Sequence, residues 1–278
     1  MRAVFAIAGV TFKEAFRSRF IGFLTIFALM IVASSSVFSY FSMHEQMKLI
    51  KDIGLAGITV FSLLICIVLA AYPVPAEFEQ KTICNIRTNR ITPHDYIWGR
   101  FLGIAVFVFF VIFILTIVFF VSIGLKLIVG DAFDSAAGIG NVQNMRWNVD
   151  GKILESFMLL KAVVMIYARA LVFTSVVLFF STFTSVSLNF ALSLIIYVTG
   201  HLTYILAEIS KQFEFPVRIV MMIFYFLFPN FEQFNISDAM AVGKNISFHY
   251  LGVAIVYGFC YIAAILILAG LLFDRKEV

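Results

Sequence analysis

The sequence predicts an all-α integral membrane protein with six transmembrane helices, an N-terminal amphipathic interfacial helix and a short re-entrant segment before the last helix. The first observation behind this prediction is composition, because 62% of the 278 residues are hydrophobic and only 13% are charged. A soluble domain carries roughly 25% charged residues, so this chain has too few polar groups to cover a water-facing surface. The second observation is the length of the apolar runs, since a helix needs about 20 apolar residues to cross a bilayer.

The first element, within residues 1–19, has the pattern of an amphipathic helix. Its apolar residues recur at three- or four-residue spacing, and two bases occupy another face; these residues are Phe5, Ala8, Phe12 and Phe16, and then Lys13 and Arg17. We expect this helix to lie flat at the membrane surface, with its phenylalanines in the acyl boundary. It is either a simple anchor or a lever that also touches a cytoplasmic partner.

Six apolar runs predict the spans of a single transmembrane domain that covers residues 1–278. They lie at 20–41, 54–75, 99–125, 162–183, 186–207 and 248–272. A seventh run, 217–229, is too short to cross and predicts the re-entrant segment of an outer region, 208–247. The outer loop 126–161 mixes Gly, Asn and Asp with aromatic residues, which predicts a small capping structure. A role of that loop in release, or in binding an outer-face (periplasmic) partner, is the second interpretation.

The distribution of basic residues predicts that both termini are cytoplasmic. The inner segments 1–19, 76–100 and 273–278 hold ten bases and six acids, whereas nine bases and ten acids are spread over the longer outer segments. Basic residues near helix ends favour the cytoplasmic side, so we expect a multi-pass protein of the cell (inner) membrane. The first span has no cleavage site and is expected to stay as an anchor. The small net charge of +4 predicts no nucleic-acid partner.

The inner loop 76–100 is the most informative stretch between two spans. Acidic residues, a helical run and a basic turn follow one another in it. Its run Thr92-Pro93-His94-Asp95 predicts a helix start, with Thr92 as N-cap, proline at the first position and an acid that suits the helix dipole. A short helix parallel to the membrane with charged ends is a docking surface, and a plain solvated loop is the alternative.

Four motifs in chain order resemble the membrane subunit of ABC-2 type transporters. They are Thr11–Arg19, similar to an opening amphipathic helix; Glu77-x-Glu79-x-Lys81-Thr82 with Tyr96-Ile-x-Gly-Arg-Phe-Leu-Gly103; Phe228-Pro229-Asn230-Phe231-Glu232-Gln233-Phe234-Asn235 before the last span; and the tail Phe273–Val278. In that family the inner loop looks like the coupling helix that inserts into a cleft of the ATPase. This sequence departs from the family in its basic turn, where Arg90 and Pro93 occupy the positions of a proline and a base.

The resemblance implies a set of ATPase-coupling residues within the inner loop. They are Glu77, Glu79, Lys81, Thr82, Ile86, Arg87, Arg90, His94 and Asp95. It further implies export, a homodimer in contact with membrane lipid, and a separate ABC ATPase subunit that binds ATP and Mg²⁺. The chain has no G-x-x-x-x-G-K-[ST] motif, so we predict no nucleotide, catalytic, cofactor or metal site in the chain itself.

Two ionisable residues within the spans, Arg169 and His201, each have more than one interpretation. Arg169 lies about eight residues inside the fourth predicted span, where an arginine costs about 2.5–3.5 kcal/mol. Either it snorkels, or its span starts later, or it faces inward towards a substrate anion or an acid such as Glu208. His201 predicts an interhelical hydrogen bond, with a ligand or proton-relay role as the alternative.

One face of the fifth span collects small and polar residues. They recur at spacings of four, four, three and four residues, and they are Asn189, Ser193, Tyr197, Gly200 and Tyr204. Such a face is typical of tight helix packing. The functional interpretation is that this face, with Arg169 and His201, forms a translocation path or dimer face between two copies.

Two other functions stay open at the level of sequence. An intramembrane enzyme would need clustered catalytic groups at depth, and the spans offer His201 and Arg169 without such a cluster. A scaffold or secondary transporter would often show inverted repeats, and the first half of the chain has no partner for the 217–229 segment. The polar residues suit amphiphiles, lipids, peptides and small drugs equally well as cargo.

Overall fold

The computed structural model describes residues 2–38, 46–75, 92–136, 158–210, 228–242 and 246–275. Within these ranges the chain is almost entirely helical and contains no β-strand. The α-helices are α1 (Arg2–Arg17), α2 (Arg19–Phe38), α3 (Gln46–Ala71), α4 (Pro93–Ala136), α5 (Leu160–Ser181), α6 (Val186–Ser210), α7 (Ser237–Ala241) and α8 (Phe248–Arg275). A 3₁₀ turn, Phe231–Phe234, precedes α7.

Among the described residues, six helices are long and apolar enough to cross a membrane, which confirms the predicted fold class. They are α2, α3, α4, α5, α6 and α8, and two of them run well beyond the predicted limits. α3 begins at Gln46 instead of residue 54, and α4 continues to Ala136. Hydropathy locates the part of a helix that suits hydrocarbon, whereas helical backbone continues into polar sequence. The predicted outer loop 126–161 is therefore helical at its start, and its residues 137–157 lie outside the described ranges.

α3 and α5 form the centre of the bundle. Their most apolar windows are 72% and 67% buried, whereas those of α2, α6 and α8 are between 22% and 28% buried. The outer helices expose large apolar side chains, among them Phe20, Phe23, Val256 and Phe259. Such surfaces suit contact with lipid rather than with water.

Close backbone approach and hydrogen bonds hold the centre together. Cys66 Sγ on α3 lies 3.7 Å from the Ala170 carbonyl oxygen on α5, and the Tyr167 hydroxyl donates to the Ala105 carbonyl on α4 at 3.2 Å. Lipid tails are as apolar as leucine, so helices within a membrane associate through packing and hydrogen bonds instead of the hydrophobic effect. The small residues at these contacts allow that packing.

Residues 228–236, hereafter the inserted segment, are a non-α-helical stretch packed against α5, α6 and α8. Asn230 caps the 3₁₀ turn, because its side-chain oxygen accepts from the Glu232 backbone N–H at 3.1 Å. The backbone N–H of Asn230 donates to the Tyr257 hydroxyl on α8 at 3.2 Å. Irregular backbone is tolerated at membrane depth where the protein buries it and pairs its polar groups.

Two phenylalanines anchor the inserted segment. Phe231 and Phe234 are fully buried, the first against α5 and α6 and the second against α8. The predicted re-entrant run 217–229 lies mainly outside the described residues. The structure describes only the last two residues of that run, so the re-entrant segment stays a prediction.

Candidate functional site

The amphipathic helix α1 packs along the first half of α4. The contact is made through Gly99 and Gly103, which lie about one turn apart on α4. A Cβ atom added at Gly99 would lie 2.7 Å from Ile7 Cβ, and one added at Gly103 would lie 2.7 Å from the Ala8 carbonyl oxygen. Small residues at this spacing let two helix backbones approach closely.

Arg100, between the two glycines, joins α4 to α1 by charge. Its Nη1 donates to the Glu14 carboxylate at 2.6 Å and to the Thr11 hydroxyl at 3.4 Å. Its Nε donates to the Tyr96 hydroxyl at 3.3 Å. Arg100 is buried whereas Glu14 is half exposed. The guanidinium therefore has both a counter-charge and hydrogen-bond acceptors, as a buried charge needs.

The last turns of α8 reach the same place. The Phe273 ring stacks on the Tyr96 ring with centroids 5.5 Å apart, and a Cβ atom added at Gly270 would overlap the His94 imidazole. α1, the first turns of α4 and the last turns of α8 therefore meet at one end of the bundle. We call this meeting of α1, residues 93–103 and residues 270–273 the junction.

α4 begins where the sequence predicts. Thr92 Oγ1 accepts from the Asp95 backbone N–H at 3.2 Å, and the helix starts at Pro93. This confirms the predicted N-cap and places His94 and Asp95 in the first turn of α4, so residues 93–100 of the predicted inner loop 76–100 are helical. The other predicted ATPase-coupling residues lie outside the described ranges; they are Glu77, Glu79, Lys81, Thr82, Ile86, Arg87 and Arg90.

The outward face of α1 agrees with the sequence prediction. Phe5 and Phe16 are 71% and 69% exposed, and Lys13 and Arg17 are exposed as well. An apolar stripe beside a basic one on the outside of the bundle is suited to the membrane surface.

Phe12 corrects the predicted pattern of α1. Its ring is half-buried and meets the Phe107 ring of α4 edge-on, with centroids 5.8 Å apart, so it does not share the exposed stripe. The face that packs on α4 instead contains Thr11 and Ala15, which are buried. The sequence feature that could have indicated this face is the pair Gly99 and Gly103 on α4, because two glycines one turn apart let another helix pack closely against them.

Arg169 lies deep in the bundle and faces inward. It is about 14 Å along α5 from its first residue, near the middle of a hydrocarbon core about 30 Å thick, and it is 3% exposed. Its Nη2 donates to Thr59 Oγ1 on α3 at 3.2 Å, and its Nη1 lies 3.3 Å from His201 Nε2 on α6. Snorkelling and a later span start are therefore wrong, because the side chain faces inward, towards Thr59 and His201. A substrate anion or Glu208 as its partner stays a prediction. We call Arg169, His201 and Thr59 the polar cluster.

His201 joins α6 to α5 through a hydrogen bond whose direction is fixed. A guanidinium only donates, so Nε2 of His201 must accept from Arg169. The other ring nitrogen, Nδ1, lies 3.0 Å from the Tyr197 carbonyl oxygen and therefore carries the proton. The predicted interhelical hydrogen bond is therefore confirmed.

Within the described ranges, Arg169 keeps an unused donor and has no carboxylate in contact. Among the described side chains, its buried Nε has no acceptor. Glu232 and Asp238 act on the guanidinium through space without forming a salt bridge. Glu232 itself accepts from Asn235 Nδ2 at 3.2 Å. Glu208, the acid suggested by the sequence, lies on α6 with a side chain outside the described part of the structure.

The inserted segment packs directly against His201. The Phe231 ring lies 5.8 Å from the imidazole, and the Tyr197 ring contacts the same imidazole with centroids 4.5 Å apart. A Cβ atom added at Gly200 would overlap the Phe231 ring. The position of the inserted segment therefore depends on where His201 and its helix turn lie.

The small and polar face of α6 is used for packing within the chain. Asn189 Nδ2 donates to the Val177 carbonyl oxygen at 3.3 Å, and the Ser193 hydroxyl donates to Asn189 Oδ1 at 3.2 Å. These side chains and Gly200 are buried under α5 and the inserted segment, so this face is not exposed to a second copy, which corrects the dimer-face interpretation. The exposed side chains of α6 include Leu188, Leu194, Ile195, Val198 and Leu202. The side chain of Tyr204 lies outside the described residues.

Two apolar grooves open on the outside of the bundle. One, of about 880 Å³, lies between α2, α3 and α6, and its lining includes Phe20, Ile67 and Phe190. The other, of about 700 Å³, lies between α4 and α5, and its lining includes Phe113 and Val164. Their walls are almost entirely hydrocarbon, which suits acyl chains. In the described ranges, no group of three His, Cys, Asp or Glu residues is placed to hold a metal ion.

No family model matches the sequence, and no curated protein is detectably similar to it. The resemblance to ABC-2 membrane subunits therefore depends on the sequence motifs, and the junction and the polar cluster are interpreted from their own geometry.

Proposed function

We propose that this chain is the membrane-spanning permease subunit of an ATP-driven ABC-2 type transporter. It works as an exporter and a homodimer, with separate ABC ATPase subunits that bind ATP and Mg²⁺. The observation that carries the proposal is the junction, where three helices meet directly after the loop that resembles a coupling helix. A motor that moves this loop would act on all three helices at once.

The contacts between α4 and α1 give such a force a direct route into the membrane. The inner loop ends at the Thr92 cap, and within about three turns α4 meets α1 at Gly99, Arg100 and Gly103. A helix carries its backbone hydrogen bonds internally and therefore moves as a rod. A displacement of the loop would then shift α4 and α1 together.

α8 extends this route towards the polar cluster. Gly270 lies against His94 at the junction, and Gly258 lies against Phe234 of the inserted segment. The two glycines are about 18 Å apart along the helix. One helix therefore touches both the end of the bundle that follows the inner loop and the buried segment near the middle of the membrane.

The junction also supports the predicted topology. α1 and the end of α8 share it, which supports an arrangement with both ends of the described chain on one side of the membrane, as expected for six spans. The basic residues of 1–19 and 76–100 favour the cytoplasmic side. We therefore place the protein in the cell (inner) membrane with both termini in the cytoplasm.

The test combines purification with ATP turnover. The tagged full-length chain is purified from its own cell, and the ATPase activity of the resulting complex is measured in proteoliposomes. We expect an ATPase subunit to co-purify, and we expect joint replacement of Glu79, Thr82 and Arg87 by alanine to reduce membrane-dependent ATP turnover. His249→Ala, an exposed position at the start of α8, is the matched control and should leave turnover unchanged.

Two results would contradict the proposal in different ways. Unchanged ATP turnover after the triple replacement would mean that the ATPase is not coupled through this loop. A chain that purifies without any ATPase, and whose vesicles show no ATP-dependent movement of amphiphilic cargo, would mean that it is not an ABC permease.

A further inference from the structure

The groove between α2, α3 and α6 opens at one end among polar residues. Its volume is about 880 Å³, which lies within the range of about 300–1,000 Å³ that ligand pockets usually have. The residues of its lining that carry a polar group are Ser18 before α2, Tyr72 after α3 and Ser187 in the first turn of α6. These three positions are helix ends on the same side of the bundle, and we call this end of the groove the mouth.

Beyond the mouth, the groove is apolar and nearly as deep as one leaflet of a bilayer. Its α3 wall runs from Tyr72 to Leu64 and its α6 wall from Ser187 to Leu194. These walls extend about 12 Å and about 10 Å along their helices. One leaflet of a hydrocarbon core about 30 Å thick is roughly 15 Å deep. The groove therefore has the depth and the lining to hold an acyl chain whose headgroup lies at the mouth.

Positive charge is concentrated at the mouth. Ser18 lies between Arg17 and Arg19 in the chain, and both arginines are exposed. The acid of the same segment, Glu14, pairs with Arg100 at 2.6 Å, so its charge is already balanced. Helices α2 and α6 begin at the mouth without an acidic residue in their first turns, and the partial positive charge of a helix N-terminus adds to that of the arginines. An anion at the mouth would therefore be stabilised.

The second groove, between α4 and α5, differs in the position of its nearest base. Lys161 follows Leu160 of the lining, but its ammonium donates to the Ile246 carbonyl oxygen at 3.0 Å and lies 4.1 Å from the centroid of the Phe248 ring. This base is therefore held by the start of α8, whereas Arg17 and Arg19 lie at the surface. The second groove is a control for acyl chains that bind through shape alone.

We propose that the groove between α2, α3 and α6 binds an anionic phospholipid of the leaflet on the side of the junction, with one acyl chain between the helices and the phosphate at Arg17 and Arg19. A guanidinium group offers paired N–H donors that suit phosphate oxygens. The arginines follow the amphipathic helix α1, whose exposed face suits the headgroup level of a bilayer. Basic residues there favour anionic over zwitterionic lipid. The proposal does not depend on whether the chain is a transporter.

The experiment places the full-length chain in nanodiscs of phosphatidylcholine and phosphatidylglycerol in equal amounts. A trace of one lipid or the other carries the same photoactivatable group midway along an acyl chain, and the labelled peptides are identified by mass spectrometry. We expect phosphatidylglycerol to label residues 64–72 and 187–194 about tenfold more than phosphatidylcholine does, because two bases at the mouth attract its headgroup. In the second groove the two lipids should label nearly equally.

Two kinds of variant separate the headgroup contact from the acyl-chain contact. Arg17→Gln and Arg19→Gln should each lower the preference for phosphatidylglycerol about fivefold. Arg2→Gln removes the same charge about 22 Å away along α1 and should leave the preference unchanged. Ala191→Trp fills the groove from an exposed position and should remove the preference with both arginines intact, whereas Val164→Trp, in the second groove, should not.

Four outcomes would overturn the proposal. The two lipids could label the groove equally, or the preference could survive replacement of both arginines. A preference that is lost in the arginine variants but kept in Ala191→Trp would mean that the headgroup binds without a chain in the groove. Cross-linking between copies that appears in Ala191→Cys and not in the unmodified chain would assign the groove to a second copy. If Ala191→Trp does not fold, Ala191→Leu tests the same point. None of these readouts involves ATP or an ATPase, so they are independent of the transporter proposal.

Discussion

Replacing Gly103 by alanine should push α1 away from α4. A Cβ atom at this position would lie 2.6 Å from Thr11 Cβ and 2.7 Å from the Ala8 carbonyl oxygen. Carbon atoms in contact normally lie about 3.5–4.0 Å apart, so the two helices must separate by roughly 1 Å. The Ala8 oxygen belongs to the backbone, and no side-chain rotation can relieve that overlap.

The magnitude follows from two opposing effects. Overpacking of this kind costs about 1–3 kcal/mol, whereas alanine in place of glycine in a helix gains roughly 0.5–1 kcal/mol. Gly124 is a matched control because it lies on the same helix and a Cβ atom there would meet nothing within 4 Å. The helix-propensity gain is common to Gly103→Ala and Gly124→Ala and cancels between them. The difference between the two variants should therefore be about 1–3 kcal/mol, with Gly103→Ala the less stable.

The assay is equilibrium unfolding in mixed micelles, with hydrogen exchange of α1 to locate the change. Gly99→Ala combined with Gly103→Ala should cost less than the sum of the single variants, because α1 moves away once for both. A Gly103→Ala protein as stable as Gly124→Ala, with unchanged protection of α1, would refute the close packing of α1 on α4.

Three further predictions concern charge and burial, each measured by unfolding in micelles. A double-mutant cycle between Glu14 and Arg100 should give a coupling free energy of about 1–2 kcal/mol, which is more than most surface pairs give, because Arg100 is buried. A coupling free energy near zero would contradict this. Phe231→Ala should cost about 3–5 kcal/mol, whereas Phe5→Ala, at an exposed position, should change stability by less than about 0.5 kcal/mol. Arg169→Met removes a buried charge with an unused donor but also takes the donor from Thr59 and His201. The two effects oppose each other, so the net loss of stability should stay below about 3 kcal/mol, and a loss of about 3–5 kcal/mol, as for a broken buried ion pair, would contradict this.

The parts of the fold that local physics determines could be predicted from the sequence. Apolar runs located all six spans, and the Thr92-Pro93 pair located the start of α4 to the residue. Both signals depend on neighbouring residues only, either on hydrocarbon length or on a cap that bonds three residues ahead. Helix ends in polar sequence were missed, as at Gln46, because leaving the hydrocarbon does not end a helix.

For the candidate site, the sequence could predict which residues are unusual but not which residues they contact. Arg169, His201 and the α6 face were identified as unusual residues, but their partners were not. The hydrogen bond from Arg169 to Thr59 spans 110 positions in the chain, and that to His201 spans 32. Such pairs are set by how α3, α5 and α6 pack, and no periodicity within one helix contains that information. The inward face of α1 was missed for the same reason, since it is defined by glycines on α4.

α8 offers a test of whether the junction and the inserted segment are mechanically connected. Gly270→Ala would overlap the His94 imidazole, whereas a Cβ atom at Gly252 would meet nothing within 4 Å. Gly258, which packs against Phe234, lies nearer to Gly252 than to Gly270 along the helix. If α8 moves as a rod, Gly270→Ala should change hydrogen-exchange protection of the inserted segment several-fold from about 18 Å away, and Gly252→Ala should not. If the effect instead followed distance, Gly252→Ala would be the stronger variant. That result would exclude α8 as the connection between the junction and the inserted segment. The position of the inserted segment would then depend on its contacts with α5 and α6 alone.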